Sequence, residues 1–163
     1  MEVAIISDTH VPSRSPGIPP WVRERVGAAD HTIHAGDFDS AAALETVTEL
    51  ADGDLTAVAG NMDRLDLPET ARVVLGGVEF VVHHGTGDLA GYRERVVEAV
   101  RSARNREGAV GVCGHTHEHT DEVVRGVRLL NPGSATGADP AEAATMMTAR
   151  VGDGRLDVTL HRE

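Results

Sequence analysis

The sequence predicts an α/β domain in which two β-sheets pack together with helices on the outside. Three observations predict it. The first 61 residues alternate strand, helix, strand, helix, strand, the pattern of parallel pairing through helical crossovers. From residue 71 onward, β-rich runs come in pairs joined by short turns. The apolar content comes from Val, Ala, Leu and Ile with only 2% aromatics, so the interior is aliphatic and relies on regular elements. At 163 residues the chain has the length of one domain, expected to span 1–163, and such a chain buries about 70% of the surface it exposes when unfolded.

The first strand is "VAII", which ends at "SDTH". After the proline-rich loop "VPSRSPGIPP", a short helix forms around "WVRERVGAA", its start set by proline. "HTIHAGD" reads as a second strand running into a loop. "SAAALETVTELA" is a helix with Leu44, Val47, Leu50 and Ala51 on one face and Ser40 as N-cap. "LTAVAGN" is a third strand. "ARVVL" and "VEFVVHH" form a hairpin across Gly76 and Gly77. In "YRERVVEAVRSAR", Tyr92, Val96, Val97, Val100 and Ala103 recur at helical spacing with Arg and Glu opposite. "AVGVCGH" is another strand. "DEVVRGVRLLN" and "ATMMTARVGDGRLDVTLH" read as hairpins turning at Arg125 and Gly126 and at Asp153 and Gly154.

The formal net charge is −11, from 26 acidic and 15 basic residues, and the chain contains no Lys. Such a field repels polyanions, so a nucleic-acid polymer is a disfavoured partner. An acidic, Lys-free chain fits a high-salt interior, where carboxylates keep a protein solvated; a GC-rich genome that favours Arg codons is the competing explanation. No stretch approaches the roughly 20 apolar residues of a membrane span, and "MEVAIISD" reads as a strand rather than a signal peptide. The expected location is the cytoplasm. The single cysteine, Cys113, cannot form an intramolecular disulfide, and it is expected to pack in the core as a small apolar group.

Several strands end in a polar, metal-capable group, and ligands of open α/β sheets bind at the carboxyl ends of strands. The pattern therefore brings Asp8, His10, Asp37, Asn61, His115 and His117 to one rim, with "VVHHG" adding His83 and His84. In "GVCGHTHEHT", one extended strand would point His115, His117 and His119 to a single face. Gly114 permits a sharp exit from the strand instead, which separates the first two histidines from His119.

These residues resemble the calcineurin-like metallophosphoesterases, in particular the small bacterial and archaeal phosphodiesterases. The family pattern appears in order as "DTH", "GD" at Gly36 and Asp37, "GNMD" at Gly60 to Asp63, "HG" at His84 and Gly85, and "GHTH" at Gly114 to His117. "NPGS" at Asn131 to Ser134 follows. The resemblance implies a four-layer αββα sandwich of two mixed β-sheets with flanking helices and a dinuclear metal site. It assigns Asp8, His10, Asp37 and His117 to one ion and Asp37, Asn61, His84 and His115 to the other. Asp37, Asn61 and His115 carry over as catalytic residues. The implied activity is that of a metal-dependent phosphodiesterase, in which the ion pair activates a hydroxide for in-line attack on phosphorus of a small phosphodiester. Mixed imidazole and carboxylate ligation suits two divalent transition metals, with Mn preferred and Fe, Co, Ni or Zn compatible.

Two positions depart from the family. Met62 stands where many phosphatases have a His that assists the leaving group, and a thioether donates no proton. Thr86 stands where many relatives continue the "HG" motif with another His. Asp63 is a candidate for orienting a ligand or a water, and Arg14 and Arg64 for contacting a phosphate oxygen. His83 is expected to pack opposite His84, His31, His34 and His161 to be structural or exposed, and Asp39 and Asp88 receive no role. The rival function is a non-catalytic protein-binding scaffold of the same fold, as in a retromer subunit with a similar "P-x-R" loop. Pairing of exposed rims into a homo-oligomer is a further expectation.

Overall fold

A computed structural model describes residues 1–163. Strands β1 (Glu2–Ile6), β2 (His31–His34) and β3 (Leu55–Ala57) alternate with helices α1 (Pro20–Ala28) and α2 (Ala41–Leu50). Next come β4 (Thr70–Leu75), β5 (Val78–His83), α3 (Tyr92–Ala103), β6 (Val110–Val112), β7 (His119–Val124), β8 (Val127–Pro132), β9 (Thr145–Gly152) and β10 (Arg155–Arg162). One sheet has the order β10-β9-β1-β2-β3 and the other β4-β5-β6-β8-β7. Both are mixed. β1, β2 and β3 run parallel, as do β5, β6 and β8, while β9 and β10 in the first sheet and β4 and β7 in the second pair antiparallel.

The four-layer sandwich follows from side-chain alternation. On β1, Val3 and Ile5 point between the sheets, where they meet Phe80, Val82, Val112 and Leu130. Ala4 and Ile6 point the other way onto Val22 and Val26 of α1 and Val47 of α2. On β5, Phe80 and Val82 face the inter-sheet core while Val81 meets Val96, Val97 and Val100 of α3. Central strands buried on both faces are therefore continuously apolar. Cys113 belongs to the layer under α3, and burial pushes its thiol up to about 12, which makes it inert.

Local chemistry explains the boundaries. Ser40 caps α2 by accepting from the Ala43 N–H at 3.1 Å, and proline occupies the start of α1. All three hairpins turn on two residues of positive φ, Gly76 and Gly77, Arg125 and Gly126, Asp153 and Gly154, the conformation that matches strand twist. The third strand is shorter than "LTAVAGN" predicts. The Val58 N–H still reaches the His34 carbonyl, but the Ala59 N–H turns to Pro68, which frees the segment carrying Asn61 from the sheet. No helix is long and apolar enough to cross a membrane.

Seven arginines pair with carboxylates within 4.0 Å, so most of the 26 acidic side chains lack a cationic partner. Salt should screen this self-repulsion. Raising KCl from 0.05 M to 2 M is expected to lift the thermal midpoint by about 4–8 °C, corresponding to about 2 kcal/mol for a chain of this size. A midpoint that is flat or falls with salt would contradict a repulsion-limited fold.

Candidate metal centre

The parallel strands of both sheets end at one rim, and the loops leaving them carry the site. β1 runs into Asp8 and His10, β2 into Asp37, β3 into Asn61, β5 into His84 and β6 into His115 and His117. All seven side chains converge. Asp8, His10 and His117 offer ligand atoms within 4.8 Å of one another, as do Asp8, Asp37 and His84. Asp37 Oδ2 lies 3.5 Å from His10 Nε2 and 3.3 Å from His84 Nε2, between the two groups. Asn61 Oδ1 lies 3.1 Å from His84 Nε2 and 3.0 Å from His115 Nδ1. Asp8, His10, Asp37, His84 and His117 are buried, whereas Asn61 is exposed and His115 half-buried. The cluster thus has a dry floor and an open face, the arrangement of a catalytic rather than a closed structural site.

Each imidazole has one nitrogen committed to an acceptor outside the cluster. His10 Nδ1 meets Asp39 Oδ1 at 2.9 Å, His84 Nδ1 the Ala35 carbonyl at 2.7 Å, His117 Nδ1 the Ala138 carbonyl at 2.8 Å, and His115 Nε2 the Gly87 carbonyl at 2.8 Å. These contacts fix the tautomers and leave four lone pairs pointing inward. The consequence, with the imidazoles neutral, is that their inner nitrogens offer only acceptors: His10 Nε2 and His117 Nε2 face each other at 3.1 Å, next to the carboxylates of Asp8 and Asp37, which accept from the backbone N–H groups of His115 and Met62. A cation satisfies this arrangement, and the N and O donors fit two neighbouring divalent ions.

The electrostatics agree. Burial alone would raise the Asp37 carboxyl, but hydrogen bonding and charge from His84, with the Met62 N–H, more than offset it and hold the group at about 2. Burial also opposes charge on His84 and His117, yet Asp37 and Asp8 around the first, and Asp8 at the second, raise both above the ordinary imidazole value. The site attracts positive charge.

The backbone is bent to make the cluster. Nine non-glycine residues have positive φ, and six of them are Asp8, His10, Asp37, Asp39, His115 and His117. Left-handed backbone costs about 1–3 kcal/mol per residue and persists where surrounding contacts hold it. Those contacts are visible. The Asp63 carboxylate accepts four backbone N–H groups, with Oδ1 taking Phe38 and Asp39 and Oδ2 taking Asp37 and Gly60, all at 2.8–2.9 Å. Asn131 Nδ2 donates to the Gly114 carbonyl and Thr116 Oγ1, the Tyr92 hydroxyl donates to the same carbonyl, and Ser134 Oγ donates to the Asp8 carbonyl. Gly114 is required for space, since a Cβ there would lie 2.1 Å from Ser7 Oγ and 2.7 Å from Asp8 Oδ2.

The remaining sequence candidates separate clearly. Asp63 orients the Asp37 loop through its backbone rather than touching a donor side chain. Arg14 is exposed and donates to the Asp139 carbonyl at 2.9 Å; Arg64 is exposed and makes no side-chain hydrogen bond. His119 starts β7 in solvent. His83 is half-buried against Thr70 Oγ1 at 2.9 Å, beside the cluster rather than packed away. His34 is fully buried under the rim, stacked on Phe38 at 3.6 Å, and burial pushes it down to about 3, so it is neutral. The sequence reading missed Asp39, which holds His10 and itself accepts from Ser13. Its only signal is the spacing in "GDFDS".

Comparison with known proteins places this geometry. Residues 1–154 match the calcineurin-like phosphoesterase superfamily domain. A probable metallophosphoesterase of Methanothermobacter thermautotrophicus is 34% identical over 99% of this chain and 92% of its own. Another from Methanocaldococcus jannaschii is 32% identical over 83% of this chain and 69% of its own. Wild-type Vps29 of Entamoeba histolytica, solved in complex with Zn²⁺, superposes with a TM-score of 0.80 at 25% identity, covering 100% of this chain and 98% of that one. Because the family model spans residues 1–154 and a relative 34% identical is matched over 99% of this chain, the chain belongs to the calcineurin-like phosphoesterase superfamily.

Proposed function

We propose that the protein is a metal-dependent phosphodiesterase with a dinuclear centre, Mn²⁺ being the preferred ion and Fe, Co, Ni and Zn compatible. The observation that carries this reading is the set of four imidazole lone pairs and two carboxylates turned inward at an open rim. Asp8, His10, Asp37 and His117 would hold one ion, and Asp37, Asn61, His84 and His115 the other. Such a pair supplies Lewis acidity, lowering the pKa of water and offsetting charge on the phosphoryl oxygens during in-line attack.

The chain's own residues set the terms of that chemistry. Asp8 and Asp37 contribute −2 against about +4 from two divalent ions, which leaves a site attractive to a phosphodiester monoanion and an anionic nucleophile. Asn61 supports this by offering an oxygen without charge. Asp39, Ala35, Ala138 and Gly87 hold the imidazoles in the tautomers that present lone pairs inward. The Met62 N–H donates to Asp37 Oδ1 at 2.8 Å and fixes that carboxylate's rotation.

The test is hydrolysis of bis(4-nitrophenyl) phosphate by metal-stripped protein reloaded with Mn²⁺. Turnover of the diester, faster than of 4-nitrophenyl phosphate, is the expected result. Inertness with every transition metal would replace this reading with that of a protein-binding scaffold.

Met62 shapes the expected substrate range. Its side chain is 44% exposed at the open face and has no proton for a departing alkoxide, so activated aryl esters should turn over far better than alkyl esters. General acid catalysis contributes about 10²–10⁴-fold. Met62→His is expected to raise kcat on a dialkyl phosphate by about tenfold or more while changing aryl-ester turnover little. An equal effect on both substrates would remove the leaving-group explanation.

A further inference from the structure

Two clefts open beside the donor cluster. The larger, about 530 Å³, lies against Asn61 and His84 and is also lined by His83, Thr86, Asp63 and Glu69. The smaller, about 340 Å³, lies against His117. A cleft of the larger size accommodates a sugar, a polyol or an aryl group.

Its charge is one-sided. Glu69 is exposed at the cleft and its carboxylate makes no hydrogen bond or ion pair. Asp63 adds a second negative charge in the wall, its oxygens already turned to four backbone N–H groups. No arginine lines the cleft. Arg95, which reaches the loop after His84, donates instead to the Gly85 and Asp88 carbonyls at 3.0 and 2.8 Å. At the end of the cleft away from the donor cluster, a group that reaches Glu69 meets an unpaired carboxylate and no arginine turned toward it, so that end disfavours an anionic group and favours a cationic one.

We propose that this cleft is a subsite for one ester arm of the substrate, that it takes an uncharged or cationic alcohol and rejects an anionic one, and that Glu69 sets this preference. The proposal rests on the phosphodiesterase reading and sharpens it. The substrate class is a phosphodiester of a polyol or amino alcohol, not a nucleotide chain or a phosphorylated sugar, whose arms carry further phosphate.

Three symmetrical diaryl phosphates test this with the Mn²⁺-loaded protein: the bis(4-nitrophenyl), bis(4-trimethylammoniophenyl) and bis(4-sulfophenyl) esters. The last two carry phenols of similar acidity and opposite charge. Symmetry puts a charged arm in the cleft whichever arm departs. The net charge of −11 favours cationic substrates in every variant, so the informative quantity is how the ratio of kcat/KM, cationic over anionic, depends on residue 69. That ratio is expected to fall about tenfold in Glu69→Gln and further in Glu69→Arg. A ratio unchanged across the three proteins, or a wild-type preference for the sulfonate, would overturn the subsite while leaving the phosphodiesterase reading intact. Failure to hydrolyse any of the three esters would overturn both.

Discussion

Asp37→Ala is expected to reduce Mn²⁺-dependent hydrolysis of bis(4-nitrophenyl) phosphate by at least about 10³-fold. Loss of a group that merely supports a metal ligand costs about 10–100-fold, and Asp37 stands nearer the chemistry than that. Its Oδ2 lies between His10 Nε2 and His84 Nε2, at 3.5 and 3.3 Å, closer to both than Asp8 Oδ1 at 3.8 and 4.0 Å, so Asp37 is the better placed of the two carboxylates to bridge. Alanine also leaves the Met62 N–H without its acceptor and removes the carboxylate that raises His84. The floor of the site should nevertheless stay folded, because Asp8, His117 and the backbone contacts of Asp63 do not depend on the Asp37 side chain. Steady-state rates measured beside far-UV circular dichroism separate the two effects. Retention of a tenth of wild-type activity would contradict a bridging role.

Asp63→Ala should produce a different signature, losing stability and metal affinity together. Four backbone N–H groups converge on this carboxylate, and hydrogen bonds to a charged group contribute about 1.5–3 kcal/mol each. Because the site is half-buried and water replaces part of that, we expect a net loss of about 3–5 kcal/mol, which lowers the thermal midpoint by about 6–20 °C. Mn²⁺ affinity, read by calorimetry, should fall about 10–100-fold. Asp63→Asn should be intermediate, since its oxygen still accepts from Phe38 and Asp39 while its amide nitrogen faces the Asp37 and Gly60 N–H groups. A midpoint within about 2 °C of wild type in Asp63→Ala, the effect of an ordinary surface substitution, would show that the loop is held by other contacts.

The elements that were legible in the sequence are those with local causes. The pairs Gly76 and Gly77, Arg125 and Gly126, and Asp153 and Gly154 marked hairpins because few residues tolerate two successive positive φ angles. Tyr92, Val96, Val97 and Val100 marked α3 because helical spacing puts them on one face, and all four are buried. The convergence of the strand-end residues was legible for a topological reason, namely that parallel strands deliver their carboxyl ends to one rim.

What the sequence hid depends on contacts between distant residues. Asp39 carried no role in the sequence, and Asp63 stood there only as a candidate for orienting a ligand or a water. One fixes an imidazole 29 positions away and the other fixes backbone 24–26 positions away, and neither relation leaves a local pattern. The three alternating histidines of "GHTHEH" divide as the turn at Gly114 predicts. Alternation implies one face only on an extended strand, whereas His115 and His117 have φ of 74° and 61°, and only His119 lies on a strand. "LTAVAGN" reads as one strand because Leu55, Thr56 and Val58 continue the strand–helix alternation, but the Ala59 N–H turns to the Pro68 carbonyl and lets Asn61 reach His84 and His115.

In the proposed centre, the inward-facing donors at this rim hold two ions that together make a phosphodiesterase. Titrating Mn²⁺ into metal-free protein while recording the rate on bis(4-nitrophenyl) phosphate tests it directly. Activity is expected to rise with added metal and reach its plateau at two Mn²⁺ per chain. Saturation at one ion, or two bound ions with no turnover, would contradict it.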